Sequence, residues 1–127
     1  MTPTPIRVPG RVQSSIRVAN GPTRYSPSNQ AGFRHVAQQH FDRPLGNNRS
    51  IFSVSQDELK SILQRPDIAR TPAIGIDEGR QFVRIADTGQ IIGNTSLNFG
   101  GVETSWIKIF VDRAGNLITA YPVPPGS

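Results

Sequence analysis

Cysteine is absent from all 127 positions, so the chain has neither a disulfide framework nor a thiolate metal site, and the usual indicator of redox compartment is missing with it. Long apolar runs are missing as well. None approaches the roughly 18 residues that a bilayer-spanning helix needs, and the opening Met-Thr-Pro-Thr-Pro lacks the apolar core of a signal peptide. Stable membrane insertion is therefore not expected, and delivery to another compartment would depend on something outside this chain. The motifs Gly-x-x-x-x-Gly-Lys-Ser/Thr, Gly-x-Gly-x-x-Gly, Gly-x-Ser-x-Gly and His-Glu-x-x-His do not occur, which removes the parts of an NTPase, a dinucleotide enzyme, a serine hydrolase and a zincin. Clustered carboxylates are scarce. The nine acidic residues stand singly except at Asp57-Glu58, which suits a helix start, and Asp77-Glu78, in a turn-like Ile-Asp-Glu-Gly. A carboxylate-rich metal nuclease does not fit, and neither a metal nor a cofactor is expected.

What is present suffices for one domain: 35% hydrophobic residues in a chain of this length bury a single core and no more. The net charge of +5 is unevenly placed. Before Asp42 stand Arg7, Arg11, Arg17, Arg24 and Arg34 with no acidic residue, and the remaining nine basic residues balance the nine acidic ones. Twelve of the fourteen basic residues are Arg, whose planar fork binds phosphate in bidentate fashion and stacks on bases better than Lys does. Two readings of that charge stand, a polyanion-binding arm and a solvated basic leader.

Residues 1–28 contain five prolines among Ser, Thr, Asn and Gly, which reads as a leader or linker. Two Ile-Arg-Val triplets, at Ile6 and Ile16, are candidate short edge strands. From residue 29 the pattern becomes that of a folded domain. Phe33, Val36, Ala37, His40 and Phe41 fall at helical spacing, with Ser28 or Asn29 as N-cap and an end near Asp42, because Pro44 disfavours the α conformation at Arg43. A second helix is predicted from the capping box Ser55-Gln-Asp-Glu58, with Val54 and Leu59 as the hydrophobic staple, running to about Gln64 and stopping before Pro66. Residues 67–79 are punctuated by Pro and Gly and read as a loop with one helical turn. Four β-rich runs follow at 82–85, 90–92, 105–111 and 117–121. The turn sequences Asp87-Thr-Gly-Gln90 and Asp112-Arg-Ala-Gly-Asn116 are expected to close two antiparallel hairpins. Helices first and strands after predict an α+β fold, with N-terminal helices packed on one face of a C-terminal antiparallel sheet of about four strands.

Period two sorts the residues of the third run by face. Ile107, Ile109 and Val111 belong under the helices, while Trp106, Lys108 and Phe110 share the other face. A Trp, a Lys and a Phe side by side offer base stacking next to phosphate neutralisation; packing beneath the N-terminal arm is the other reading. Only two histidines are available, His35 and His40, five positions apart and about 140° round a helix, so they do not make the i, i+4 pair of a zinc helix. His40 falls on the apolar face and His35 points away with Gln39.

The final strands, opening Thr104-Ser105, turning through Asp112-x-x-Gly115-Asn116 and ending Ile-Thr-Ala-Tyr121-Pro, resemble the closing strands of small ribonuclease-type toxin domains grouped as barnase/EndoU/colicin/RelE-like. The similarity spans about residues 80–123. It implies a bacterial toxin that cleaves RNA, tRNA or another structured RNA, by metal-independent acid/base transesterification, leaving a 2′,3′-cyclic phosphate. It also implies a cognate immunity protein and a larger delivery protein upstream, with export or cell-surface delivery and action in the cytoplasm of a target cell. Carried over by position, the resemblance makes Thr104, Ser105 and Tyr121 the hydroxyls that hold the phosphate and orient the sugar, with His40 or His35 as acid or base. The chain has no Gly-x-His-His segment such as EndoU-like domains have, and Arg49 and Arg84 are the candidates for the missing positive charge. With Trp106 and Lys108 they make up the expected substrate-binding set. Two other functions fit parts of the chain: an ADP-ribosyltransferase toxin using Arg49, the Thr-Ser-Leu segment and Glu103, and a noncatalytic nucleic-acid-binding module using the basic arm and Trp106.

Overall fold

The computed structural model describes residues 15–127. The first helix, α1 (Phe33–His40), starts at Gly32 rather than at Ser28 or Asn29. Gly32 adopts φ 101°, and its amide donates to the Ile118 carbonyl at 2.9 Å while its Cα faces the Asn20 backbone so closely that a Cβ would lie 2.6 Å from it. Only glycine fits there. The helix ends at Phe41, whose extended φ and ψ lead into the loop before Pro44.

The second helix, α2 (Gln56–Leu63), is built as its sequence indicates: Ser55 Oγ accepts the Glu58 amide, Leu59, Ile62 and Leu63 are buried, and Val54 packs against the same core. The Glu58 carboxylate is used elsewhere, accepting from Gln90 Nε2 at 3.0 Å. One turn of helix, α3 (Pro66–Ala69), follows, with Pro at its first position. No described helix is long and apolar enough to cross a membrane.

Among the described residues the strands are β1 (Ile51–Phe52), β2 (Ile74–Ile76), β3 (Gln81–Asp87), β4 (Gly93–Asn94), β5 (Glu103–Thr104), β6 (Trp106–Asp112) and β7 (Leu117–Val123). They form two antiparallel sheets, a main one in the order β2-β3-β6-β7 and a small one in the order β1-β4-β5. The α+β class and the four-stranded main sheet agree with the sequence pattern. The hairpin expected at Asp87–Gln90 does not form. Instead β3 pairs with β6 and with β2, a strand inside the stretch expected to be a loop, and the chain leaves the sheet at Thr88. Residues 90–92 are not a strand; the pairing begins at Gly93, where β1 comes so near that a Cβ would meet the Ile51 carbonyl. The other hairpin closes as expected, through Arg113 to Gly115, with a bulge between Phe110 and Val111 that turns Leu117 to the core and leaves Thr119 opposite Phe110.

Beneath the main sheet Phe82, Ala86, Ile107, Ile109, Val111 and Ala120 join Leu59, Leu63 and Ile68 of the helices in one core. The opposite face, with Trp106, Lys108 and Phe110, is half-exposed. The core also takes in Ile16. The stretch read as a leader is docked from Ser15 onward: Arg17 bridges to Asn116, its amide donating to Gly115 O at 2.8 Å and its carbonyl accepting from Leu117 at 2.8 Å. Thr23 and Ser26 donate to the buried Asp112 carboxylate, each at 2.9 Å. The first Ile-Arg-Val triplet, with Arg7 and Arg11, lies outside the described residues.

Candidate functional site

Chemistry-bearing side chains gather where the C-terminal end of α1 meets the open face of β7. The helix packs against β7, the edge strand of the main sheet, and its last residue meets that strand at Tyr121. The His40 ring stacks on Tyr121 with centroids 5.4 Å apart and meets Phe52 edge-on at 6.4 Å. Its Nδ1 lies 2.7 Å from the Ser50 carbonyl oxygen. A carbonyl only accepts, so Nδ1 carries the proton and Nε2 is left as the ring's acceptor. His40 is half-buried, neither a core histidine nor a solvated one. Burial holds its pKa below the ordinary histidine value; the Ser50 bond opposes this, and the positive charges of His35 and Arg49 add to the lowering. The imidazole is therefore poised as a neutral base at neutral pH.

A cleft of about 410 Å³ opens over this pair, lined by His35, His40, Ser50, Ser96, Phe99, Thr119 and Tyr121 among others. A second recess of about 370 Å³ continues from it past His35, His40 and Asn48 to Gln39 and Arg49. His35 thus faces the cleft with His40 instead of pointing away from it. Its pKa is also lowered by burial. Arg49 makes no ion pair with Asp42 or Asp57: its Nη2 donates to Gln39 Oε1 at 3.3 Å, on the wall of the second recess, where its charge bears on His40. Burial pushes the Tyr121 phenol up, so it stays protonated and able to donate.

The other sequence-derived candidates divide into two groups. Trp106 and Lys108 are half-exposed on the face that holds Tyr121, with Lys108 directly opposite Tyr121 in register and its ammonium 5.5 Å from the Phe110 ring centre. They lie beside Tyr121 on the same sheet face, next to the cleft rather than lining it. Thr104, Ser105 and Arg84 do not reach it. The Thr104 hydroxyl is buried, donating to Val123 O at 2.7 Å and accepting from the Trp106 amide, and the Ser105 hydroxyl donates to Asp87 at 2.7 Å. The Thr104 hydroxyl ties β5 to β6 and β7, and the Ser105 hydroxyl ties the start of β6 to the end of β3.

Arg84 lies on the core face with Phe82 and Ala86, fully buried, its Nε donating to Ala69 O at 3.1 Å. Neither Nη atom has a partner among the described residues, and burial pushes the guanidinium down to about 10. A ligand on the opposite face of the sheet has no access to it.

Sequence reasoning missed Ser50, Asn48, Phe99 and Thr119, and took up Ser96 only within the Thr-Ser-Leu segment of the transferase alternative. Thr119 alone was within reach of it, since it stands two residues from Tyr121 and shares its face. The rest arrive through the loop before β1 and the loop between β4 and β5. Among the described residues no group of three or more His, Asp or Glu is placed to hold a metal ion. Compared with models of known protein families, with characterised proteins and with solved structures, the chain matches none.

Proposed function

We propose that the protein is an RNA endonuclease of the bacterial-toxin type that cleaves by acid/base transesterification. The observation that supports this most is the His40 imidazole, oriented by Ser50 through Nδ1, stacked on Tyr121, and sharing one cleft with His35 and the Arg49 recess. In this reading His40 Nε2 removes the proton of a ribose 2′-hydroxyl, and the 2′-oxygen forms a bond to phosphorus. The bond from phosphorus to the 5′-oxygen breaks as His35, protonated, returns a proton to it. The products are a 2′,3′-cyclic phosphate and a 5′-hydroxyl. Tyr121 donates to a nonbridging phosphate oxygen and Arg49 offsets the charge that builds there, the fixed-donor stabilisation such a reaction requires. Lys108, Trp106 and Phe110 give the strand a basic and aromatic track beyond the cleft. A protein of this activity implies an immunity protein covering the cleft in the producing cell and a larger delivery protein bringing the domain to its target.

The deciding experiment incubates the purified protein with total RNA in EDTA and analyses the ends. Discrete fragments with cyclic phosphate and 5′-hydroxyl ends are expected. Intact RNA with consumption of NAD would establish a transferase instead, and intact RNA with tight, salt-sensitive binding would reduce the site to a binding module.

A further inference from the structure

Phe99 is 64% exposed, the most open of the large hydrophobic side chains described, yet it lines the same cleft as His40 and Tyr121. Its backbone is firmly held. It ends a 3₁₀ turn (Leu97–Phe99) closed by Gly100 at φ 95°, with the Phe99 amide bonded to Ser96 O at 2.9 Å. Thr95 Oγ1 donates to the Phe99 carbonyl at 3.3 Å and accepts from the Val102 amide at 3.1 Å. The turn is tied to the loop before β1 as well. Leu97 and Asn98 amides donate to the carbonyls of Gly46 and Asn47 at 2.9 and 3.1 Å, and Asn98 Nδ2 donates to Asn48 Oδ1 at 2.6 Å. With Oδ1 engaged by Asn98, Asn48 keeps its amide NH₂ as the donor it offers to the cleft that it lines.

An exposed aromatic ring on a braced turn at the mouth of a polar cleft has little conformational entropy left to lose on stacking. Building on the RNA-cleaving reading above, we infer that Phe99 is the stacking platform for an unpaired base next to the scissile phosphate, with Asn48 donating a hydrogen bond to an acceptor on that base's edge. The reaction would then require a nucleotide splayed out of a helix, so the substrate class is single-stranded or loop RNA, since the bases of a continuous duplex stay stacked on one another. His40 and Tyr121 handle the phosphate, and Phe99 with Asn48 selects the residue beside it.

The probe is a short single-stranded RNA in which every 2′-hydroxyl is methylated, so that it binds without being cleaved. Wild type, Phe99→Ala and Phe99→Trp are compared by titration, and cleavage of an unmodified hairpin and an unmodified duplex is followed in parallel. The variants keep the core intact because the side chain is mostly in solvent. Phe99→Ala is expected to weaken binding by about 5- to 150-fold, the range of one aromatic–base stack, and Phe99→Trp to restore it. Asn48→Ala should flatten the preference among bases at one position. Equal affinity of Phe99→Ala and wild type, or no binding by wild type, overturns the inference. Cleavage that continues in the first of those cases leaves the ribonuclease reading standing. Binding that depends on Phe99 in a protein that cleaves nothing keeps the stacking site and removes the activity.

Discussion

At the turn end of the β6–β7 hairpin, the fully buried Asp112 carboxylate accepts from the hydroxyls of Thr23 and Ser26, the side-chain amide of Asn116 and the backbone amides of Ala114 and Asn116. At the other end, His40 has one ring nitrogen bonded to Ser50, and Tyr121 is fixed by stacking, its hydroxyl bearing on a cleft. Both ends bring together polar side chains distant in sequence. The difference is in what remains uncommitted. At the turn both carboxylate oxygens are taken up, one by amides of the turn itself and the other by the 15–28 segment and Asn116, so the cluster stabilises; at the cleft, donors and acceptors are oriented but left for something else, so the cluster is available for chemistry. Substitutions at the two ends should therefore separate stability from activity.

The sharpest break is at His40. His40→Ala should lower RNA cleavage by about 10²- to 10⁴-fold while leaving the thermal midpoint nearly unchanged, because the lost ring is half-buried and Ser50, whose carbonyl it leaves, lines the cleft. Loss of folding with activity per folded molecule preserved would place His40 with the structural residues. The pH profile adds a second reading of the same end. The pKa values of His40 and His35 are both lowered, His40 by burial and by nearby positive charge, and the proposed reaction needs one neutral and one protonated histidine. The maximum of kcat/KM is thus expected below pH 6.5, the ordinary histidine value. Arg49→Gln removes one cation that depresses His40 and should move that titration to higher pH. A maximum above pH 7 in wild type would contradict the environment described.

Next in size is the turn end. Asp112→Ala leaves several buried donors without an acceptor and should cost on the order of 3 kcal/mol in denaturant unfolding, with cleavage per folded molecule retained. Burial alone would raise the Asp112 carboxyl, but hydrogen bonds from Asn116, Ser26 and Thr23 outweigh it and hold the carboxyl below the usual range. A depressed carboxylate contributes stability that is present above about pH 4 and lost as the pH falls through the folded-state value. The variant should accordingly lose less stability on acidification than wild type does. An unchanged acid limb would show that other carboxylates govern it.

The two ends also differ in how far the sequence disclosed them. Ser55 and Glu58, Asp112 and Gly115, and the alternation of Trp106 to Val111 are signals that act within a few residues, and the structure follows them. The cleft depends on contacts between residues far apart. The strands β1, β4 and β5 have two residues each, too few to show a period, yet they position Ser50, Ser96 and Phe99. Residues 90–92 look like a strand because of Ile91 and Ile92, but tertiary context takes Ile92 to bond with Ser53 and Thr104 at the junction of the small sheet instead. Arg84 is the instructive case. Period two puts it on the face of Phe82 and Ala86, and the register sets it opposite the buried Ile109, so its placement in the core was legible from the same rule that sorted Lys108 to the open face.

Thr104 offers the finest test of the comparison, because resemblance assigned its hydroxyl to the phosphate and the structure assigns it to the fold. Thr104 Oγ1 donates to Val123 O and accepts the Trp106 amide, which fixes the last residue of β7 against the start of β6 and leaves no lone pair turned to the cleft. Thr104→Val keeps the shape and removes both bonds. The expected outcome is a loss of about 1 to 2 kcal/mol in stability, typical of orphaning a buried carbonyl and amide, with kcat/KM within about twofold of wild type. Tyr121→Phe is the matched control at the cleft: the ring still stacks on His40, stability changes little, and a phosphate contact made in the transition state costs about 2 to 4 kcal/mol in rate. If instead Thr104→Val abolishes cleavage in a protein that unfolds normally, the hydroxyl must leave Val123 during the reaction. The division between a committed and an open end would then fail at the strand crossing, where the two regions meet.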